Sequence, residues 1–588
     1  MANAPRLRIG SSLRRWAMGG VVALGLMPIS SAINAPTVSA SNNFCAELGH
    51  GINASAGAHM YCDYQATAHP AAHLPKSQVQ APAKNEHNNQ NPQRQFGNNV
   101  DSANPQEDQF PVPSSTQVYG QSETSIAAIG PYVVHAWNDA TGFFAPCGLP
   151  YAPPFKEELT GYGFSSDGGR TFTDMGGLPN DCTVAKYFGD PSVETLQRNG
   201  TTYFYISSLY ITNNFESDIA MDACVVGGAG ENATLSCHGP ILIARGGTFD
   251  FLDKDYFSID PARNRLYNTY TRFDIRQAEP NFQGQIELAA CDLTDPANPT
   301  CFPGASTTPY LVVQPAQTCE NEGAYPAVSV KTGDVYVAWE YNWATDLGPA
   351  AGAPPSCEAT PHQERVAYVP FACLTPTPTS PCVTTPRQVA LVNVSIDLAF
   401  IPGYNRVPQP GNAPPADFPR IAVSDPAGTV SIVWNDARRI PTADVLLQSF
   451  TQVALAPVQD EPVRLNADPG SKWNVLPALR NTDAQGRLNV SWYQQREPGA
   501  LTDVMAALRI DPRTEDTPSN VRVTTEPTGW HDVSSDIIPN FGDYTDNYVL
   551  ATPTAPYVDA SLFVSWSDGR LGLPQPFAAR LGDNGNGE

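Results

Sequence analysis

Seven times along this 588-residue chain the same cadence returns: a short apolar stretch, a turn, then an apolar strand closing on Trp or Tyr. The paired stretches are residues 123–128 with 133–137, 190–194 with 200–205, 255–260 with 265–270, 325–330 with 333–339, 418–423 with 428–434, 476–479 with 486–492, and 548–551 with 562–566. The closing aromatics are Trp137, Tyr205, Tyr270, Trp339, Trp434, Trp492 and Trp566. Runs such as Val335-Tyr336-Val337-Ala338-Trp339 carry the two-residue period of a strand. Successive closing aromatics lie 58 to 95 residues apart, room for about four strands of ordinary length with their turns. Convincing amphipathic helix windows are almost absent. Such a repeat in an all-β chain points to sheets arranged radially, which leaves few long free edges. The expected fold is an all-β propeller of four-stranded blades over residues 113–585, with seven blades favoured.

One octapeptide has a turn chemistry of its own: Ser165-Ser166-Asp167-Gly168-Gly169-Arg170-Thr171-Phe172. Its pattern is S-x-D-x-G-x-T-F. The spacing predicts that Asp167 accepts hydrogen bonds from the backbone of a tight hairpin, with Ser165 and Thr171 as its neighbours. Gly169 supplies a positive φ, and Phe172 plugs down between strands.

The first 40 residues read as an export signal: Arg6, Arg8, Arg14 and Arg15 precede an apolar stretch, and small residues follow. Residues 41–112 read as a disulfide loop followed by a Gln-, Asn- and Pro-rich linker. Five of the nine His fall in that region, irregularly spaced, and read as polar filler rather than metal ligands. No segment after the signal is apolar enough to span a bilayer. Twelve cysteines fit an oxidising compartment. Short loop closure favours neighbour pairing: Cys45–Cys62, Cys147–Cys182, Cys224–Cys237, Cys291–Cys301, Cys319–Cys357 and Cys373–Cys382. The net charge of −24 argues against nucleic acid and anionic lipid as partners. The expected location is outside the cytoplasm: secreted, periplasmic or at the cell surface.

In a propeller, segments entering the innermost strands form one mouth of the central channel. Aligning the apolar stretches on their Ile or Val places a mixed ring there. Glu123, Asp190, Asp255, Tyr325 and Asp543 are the candidate catalytic groups, and Arg420, Tyr256 and Asn474 the candidate substrate contacts. Paired carboxylates suit glycosidic bond cleavage, which needs one acid and one base or nucleophile. The same acids could instead brace neighbouring blades or bind a structural Ca²⁺. No other cofactor is expected, and the chain is expected to be a monomer. A second set, Trp434-Asn435-Asp436-Ala437-Arg438 and Trp566-Ser567-Asp568-Gly569-Arg570, recurs from blade to blade and reads as structural bracing.

The repeats, the octapeptide and the Trp-x-Asp-x-Arg endings together resemble the sialidase-like (BNR/Asp-box) β-propeller superfamily, over about residues 115–580. The resemblance implies six blades as the alternative to seven, and a secreted glycoside hydrolase as one activity. Sialidases of the family use three Arg on the substrate carboxylate, a Tyr–Glu pair and an Asp acid/base, with an early Arg in a Phe/Tyr-Arg-Ile-Pro motif. This chain departs from that pattern. Its nearest strings, Tyr404-Asn405-Arg406-Val407-Pro408 and Phe418-Pro419-Arg420-Ile421, lie far downstream. Two functions follow: a hydrolase acting on extracellular glycans, or a non-catalytic propeller that binds glycans or glycoproteins. Fold alone does not choose between them.

Overall fold

The computed structural model describes residues 95–96, 98–104, 121–139, 159–179, 184–212, 216–247, 249–274, 284–316, 321–341, 363–382, 388–393, 418–436, 438, 442–468, 472–495, 501–529, 542–550, 562–571 and 574–582. Among these residues the regular structure is strand, broken only by single-turn 3-10 segments. The strands form seven antiparallel sheets. The innermost strands, blades 1 to 7 in order, are Gln121–Ile129, Ser192–Arg198, Asp250–Asp260, Asn321–Val328, Arg420–Ser424, Trp473–Ala478 and Asp546–Val549. Neighbouring blades meet through these strands, except that blade 5 meets the inner strand of blade 6 through its second strand, Thr429–Asp436, and blade 7 returns to blade 1. The molecule is a seven-bladed β-propeller of four-stranded blades.

The repeating cadence is the hairpin of the first two strands in each blade. In blade 2, Ser192–Arg198 turns into Thr201–Thr212 through Asn199 (φ 52°) and Gly200 (φ 81°), the two-residue turn whose backbone twist suits a hairpin. Trp137, Trp339, Trp434, Trp492 and Trp566, on the second strands, are wholly buried. Trp434 packs with Tyr325, Ala327 and Tyr336 of blade 4, and Trp566 with Tyr493 and Val504 of blade 6. A buried indole seeks an acceptor, and four of these five find one nearby. The Nε1–H of Trp339 donates to Asn321 at 2.9 Å, that of Trp492 to Asn474 at 3.0 Å, that of Trp434 to Asp436 at 3.1 Å and that of Trp566 to Asp568 at 2.7 Å. Asp436 and Asp568 also clamp Arg438 and Arg570, each at 2.7 Å, so the Trp-x-Asp-x-Arg endings brace strand ends.

The propeller begins earlier than residue 113. Asn99–Asp101, within the stretch assigned to the linker, pairs antiparallel with Gln575–Leu581 and supplies the outer strand of blade 7. The ring is therefore closed by hydrogen bonds between the two ends of the propeller. A short linker-like strand can do this because its partner edge would otherwise stay unpaired.

In blade 1 the octapeptide joins Thr160–Ser165 to Thr173–Gly177. Asp167 accepts from the backbone N–H groups of Arg170 (3.0 Å) and Thr171 (2.9 Å), from the Thr171 hydroxyl (2.6 Å) and from the Ser165 hydroxyl (2.8 Å). Gly168 and Gly169 both sit at φ 80°, and Phe172 is buried in the core. Disulfides Cys224–Cys237, Cys291–Cys301 and Cys373–Cys382 are formed as expected. The other three expected pairs, the export signal and the His-rich stretch lie outside the described residues.

Candidate functional site

Four inner strands carry a register shift near their starts. The shift falls between Ser122 and Ser125 in blade 1, Asp253 and Tyr256 in blade 3, Glu322 and Tyr325 in blade 4, and Val475 and Ala478 in blade 6. A bulge re-aims a side chain that regular pleating would send elsewhere. At each shift one residue takes the left-handed conformation: Glu123 (φ 52°), Lys254 (φ 55°), Gly323 (φ 65°) and Leu476 (φ 51°). Asp190 (φ 58°) stands just ahead of the inner strand of blade 2. Such conformations are disfavoured outside glycine, and they persist only where the surroundings enforce them.

Three of these residues meet. Lys254 Nζ lies 3.0 Å from Asp543, 3.6 Å from Glu123 and 3.8 Å from Asp190, and all four side chains are at most 1% exposed. Blades 1, 2 and 3 and the segment entering blade 7 thus contribute one charged group each. Asn138 ties the acids together, donating to Glu123 at 2.5 Å and to Asp190 at 3.3 Å, while its carbonyl accepts from the Asp190 N–H. The Asp543 N–H donates to Glu123 at 3.0 Å.

Burial, and then the charge of Asp190, pushes the Glu123 carboxyl well above the usual range, against the pull of Lys254. Burial likewise lifts Asp190 to about 6, with Lys254 opposing. Asn138, donating to both carboxyls, holds the two side by side, where the charge of Asp190 favours the protonated form of Glu123. Burial works against the Lys254 charge, yet Asp543, Glu123 and Asp190 hold the ammonium protonated. The cluster combines a carboxylic acid, a carboxylate and a fixed cation within a few ångströms.

Beside it, the buried Arg420 guanidinium lies against the rings of Tyr256 (4.6 Å), Tyr325 (4.8 Å) and Tyr544 (5.2 Å) and donates to the Tyr256 hydroxyl at 3.3 Å. Its Nη1 has no hydrogen-bond partner among the described residues. Phe418 and Tyr544 face Lys254 at 5.2 and 5.4 Å. Gly323 leaves room for Phe418, since a Cβ there would come within 2.1 Å of the ring.

Of the residues singled out from sequence, Glu123, Asp190 and Asp543 converge, with Tyr256, Tyr325 and Arg420 next to them. Asp255 does not join them. Its carboxyl accepts from Ser207 in blade 2 and from Asn268 in blade 3, and so bonds the two blades together. Asn474 is occupied, accepting from Trp492 and Gln494 of its own blade and donating to the Ala443 carbonyl, just ahead of the blade 5 strand Asp444–Thr451. Both side chains serve the fold because the strand pleat turns them off the axis.

Sequence reasoning missed Lys254. It stands three residues before Phe257, as Glu123 stands before Ile126 and Asp190 before Val193. Alignment on Ile259 put Tyr256 in the slot instead, because the bulge adds a residue that a simple alternating pattern cannot show. Tyr544 was passed over beside Asp543, and Arg480 carried no signal beyond closing an apolar run.

Among the described residues no group of three His, Cys, Asp or Glu is arranged to hold a metal ion. No described helix is long and apolar enough to cross a membrane. No family model matches the chain, and no curated protein matches it. Solved structures similar to it include a Trypanosoma rangeli sialidase mutant displaying trans-sialidase activity, at 10% identity and a TM-score of 0.37, over 79% of this chain and 54% of that one. A Penicillium chrysogenum α-L-arabinanase complexed with arabinobiose matches at 10% identity and a TM-score of 0.34, over 79% of this chain and 97% of that one. An N-acetylgalactosamine deacetylase from F. plautii matches at 13% identity and a TM-score of 0.28, over 52% and 75%. Likeness of this degree decides neither activity nor substrate.

Proposed function

We propose that this propeller is an exported glycan-acting protein, and that it is a glycoside hydrolase whose reacting groups are Glu123, Asp190 and Asp543 around Lys254. The observation that carries the reading is the convergence of three carboxyl groups from three blades on one ammonium. Glu123 and Asp190 accept from the same Asn138 amide, at 2.5 and 3.3 Å. The pair therefore acts as one proton-holding unit, with Glu123 the general acid toward the leaving oxygen. Asp543, paired with Lys254 at 3.0 Å, is the opposing carboxylate that activates water or attacks the sugar. Arg420, whose Nη1 has no hydrogen-bond partner among the described residues, is the group placed to contact substrate, and Tyr256, Tyr325 and Tyr544 pack against it and hold it beside the cluster.

The test is a screen of the purified mature protein on aryl glycosides and polysaccharides, a sialoside included. Hydrolysis of one class is expected, and Glu123→Gln or Asp543→Asn lowers kcat/KM by roughly 10²–10⁴-fold, the usual worth of positioned proton transfer. Turnover equal to wild type in both variants removes these residues from the chemistry. A second reading, glycan binding without turnover, is favoured by the engagement of every carboxyl in the cluster with Lys254, Asn138 or backbone. Retarded migration in glycan-loaded gels with no release of reducing sugar distinguishes it.

A further inference from the structure

A second charged layer lies on the axis beneath the Lys254 cluster. Arg480 stands two residues past the end of the inner strand of blade 6, and its side chain is 3% exposed. Its Nη1 donates to Asp546 at 2.7 Å and to the Ser125 hydroxyl at 3.3 Å. Its Nε donates to Glu194 at 3.4 Å, and its Nη2 reaches the Val193 carbonyl at 2.5 Å, the Ser192 hydroxyl at 3.4 Å and the Phe257 carbonyl at 3.5 Å. One guanidinium from blade 6 thus touches blades 1, 2, 3 and 7.

The contacted positions are those that follow the mouth cluster in sequence. Ser125 is two residues after Glu123, Ser192 and Val193 are two and three after Asp190, Phe257 is three after Lys254, and Asp546 is three after Asp543. The partners are themselves linked. Ser125 donates to Asp546 at 2.8 Å and accepts from the Val193 N–H at 3.0 Å, and Ser192 accepts from the Phe257 N–H at 3.0 Å. We infer that Arg480 is a positioning residue, fixing from below the four chain segments that present Glu123, Asp190, Lys254 and Asp543 to one another. The inference rests on the reading of that cluster as the reacting site.

The chemistry demands arginine. The planar fork donates in several fixed directions at once, whereas a lysine offers a single compact charge. Spacings of 3.0 to 3.8 Å around Lys254 depend on where four backbones stand, and reacting groups lose efficiency steeply when displaced. The groups facing Glu123 are Asp190, Lys254, Asp543 and Asn138, with the charge of Asp190 acting most strongly. Any shift of the four segments changes that set.

Arg480→Lys, Arg480→Met and Asp546→Asn test this in the full-length exported protein. On a glycoside that the wild type cleaves, Arg480→Lys is expected to lower kcat about 10²-fold, the scale of an ångström-level misplacement, with KM little changed. The acid limb of its pH profile moves, and NMR titration of labelled carboxyl groups shows a displaced Glu123 midpoint. Asp546→Asn, which keeps the guanidinium and weakens its shortest ion pair, shifts the same quantities in the same direction. If Arg480→Met fails to fold, the other two variants carry the comparison. A folded Arg480→Lys with wild-type kcat, pH profile and Glu123 titration overturns the inference. If the wild type cleaves no glycan, the hydrolase reading falls, and the titration alone decides Arg480: a moved midpoint upholds it, an unmoved one ends it.

Discussion

Lys254 is the residue on which the buried charged cluster turns. It is the cation shared by three buried acids, so removing its charge strands Asp543 and the Glu123–Asp190 pair. Lys254→Met is expected to cost about 3–5 kcal/mol at pH 8, as for breaking other buried ion pairs. The loss shrinks at pH 5, where Glu123 and Asp190, both raised by burial, hold protons and need less compensation. Calorimetric melting at the two pH values checks this, and an equal loss at both would contradict it. Asp167 behaves oppositely. Burial works against its charge, yet hydrogen bonds from Thr171, Ser165 and the Arg170 N–H hold its carboxyl below the usual value. Asp167→Ala is expected to cost about 1–2 kcal/mol by leaving those donors unmet, read as a lower denaturant midpoint. That hairpin was legible from eight residues because its bonds are local. Lys254 was not, because its partners lie 64 or more positions away in sequence.

At the scale of the element, the inner strand does two jobs at once. Past its bulge it is an ordinary half of a hairpin, and its apolar alternation reveals it. At the bulge of blades 1 and 3 it holds a left-handed residue, Glu123 or Lys254, whose side chain joins the charged cluster. Gly323 fills that slot in blade 4 and makes room for the Phe418 ring. Gly323→Ala meets both a positive φ and a ring at 2.1 Å, so Phe418 must move. We expect about 1–3 kcal/mol of destabilisation from strain and overpacking. A crystal structure of the variant should show Phe418 displaced from Lys254, and a variant with unchanged stability would refute the account. The closing tryptophans were readable for a simple reason: period-two patterning and a bulky aromatic at a fixed offset survive any neighbour. The bulge was not, because inserting one residue in one strand is defined only against its partner strand.

At the scale of the whole molecule, two properties belong to no single blade. The first is closure. Asn99–Asp101 pairs with Gln575–Leu581, so deleting residues 95–104 exposes the edge of blade 7. The truncated protein is expected to melt lower and to associate through that edge, seen as a concentration-dependent larger species in light scattering. A monomer of wild-type stability would show that closure is dispensable. The second is the pH dependence of stability. Burial raises Asp190 and Asp218 to about 6, and Asp174, Asp222 and Asp255 to about 7. A carboxyl raised in the folded state stabilises fully below its unfolded value near 4, and that contribution is lost as pH rises through the folded value. Melting temperature is therefore expected to fall between about pH 4 and pH 7, and a rise over that window would contradict the interior described here.

The sequence by itself determined the repeating hairpins and the tight turn around Asp167, and it favoured seven blades and the neighbour pairing seen at Cys224–Cys237, Cys291–Cys301 and Cys373–Cys382. Each of these is settled by residues close along the chain, through period-two burial, turn chemistry and short loop closure. Tertiary structure alone decided which acids face the axis, that Lys254 joins them, that Arg480 stands beneath them, and that residues near 100 close the ring. Those outcomes depend on bulges and on bonds between blades. A one-residue change of register sends a side chain from the axis into the space between sheets, as it separates Lys254 from Asp255.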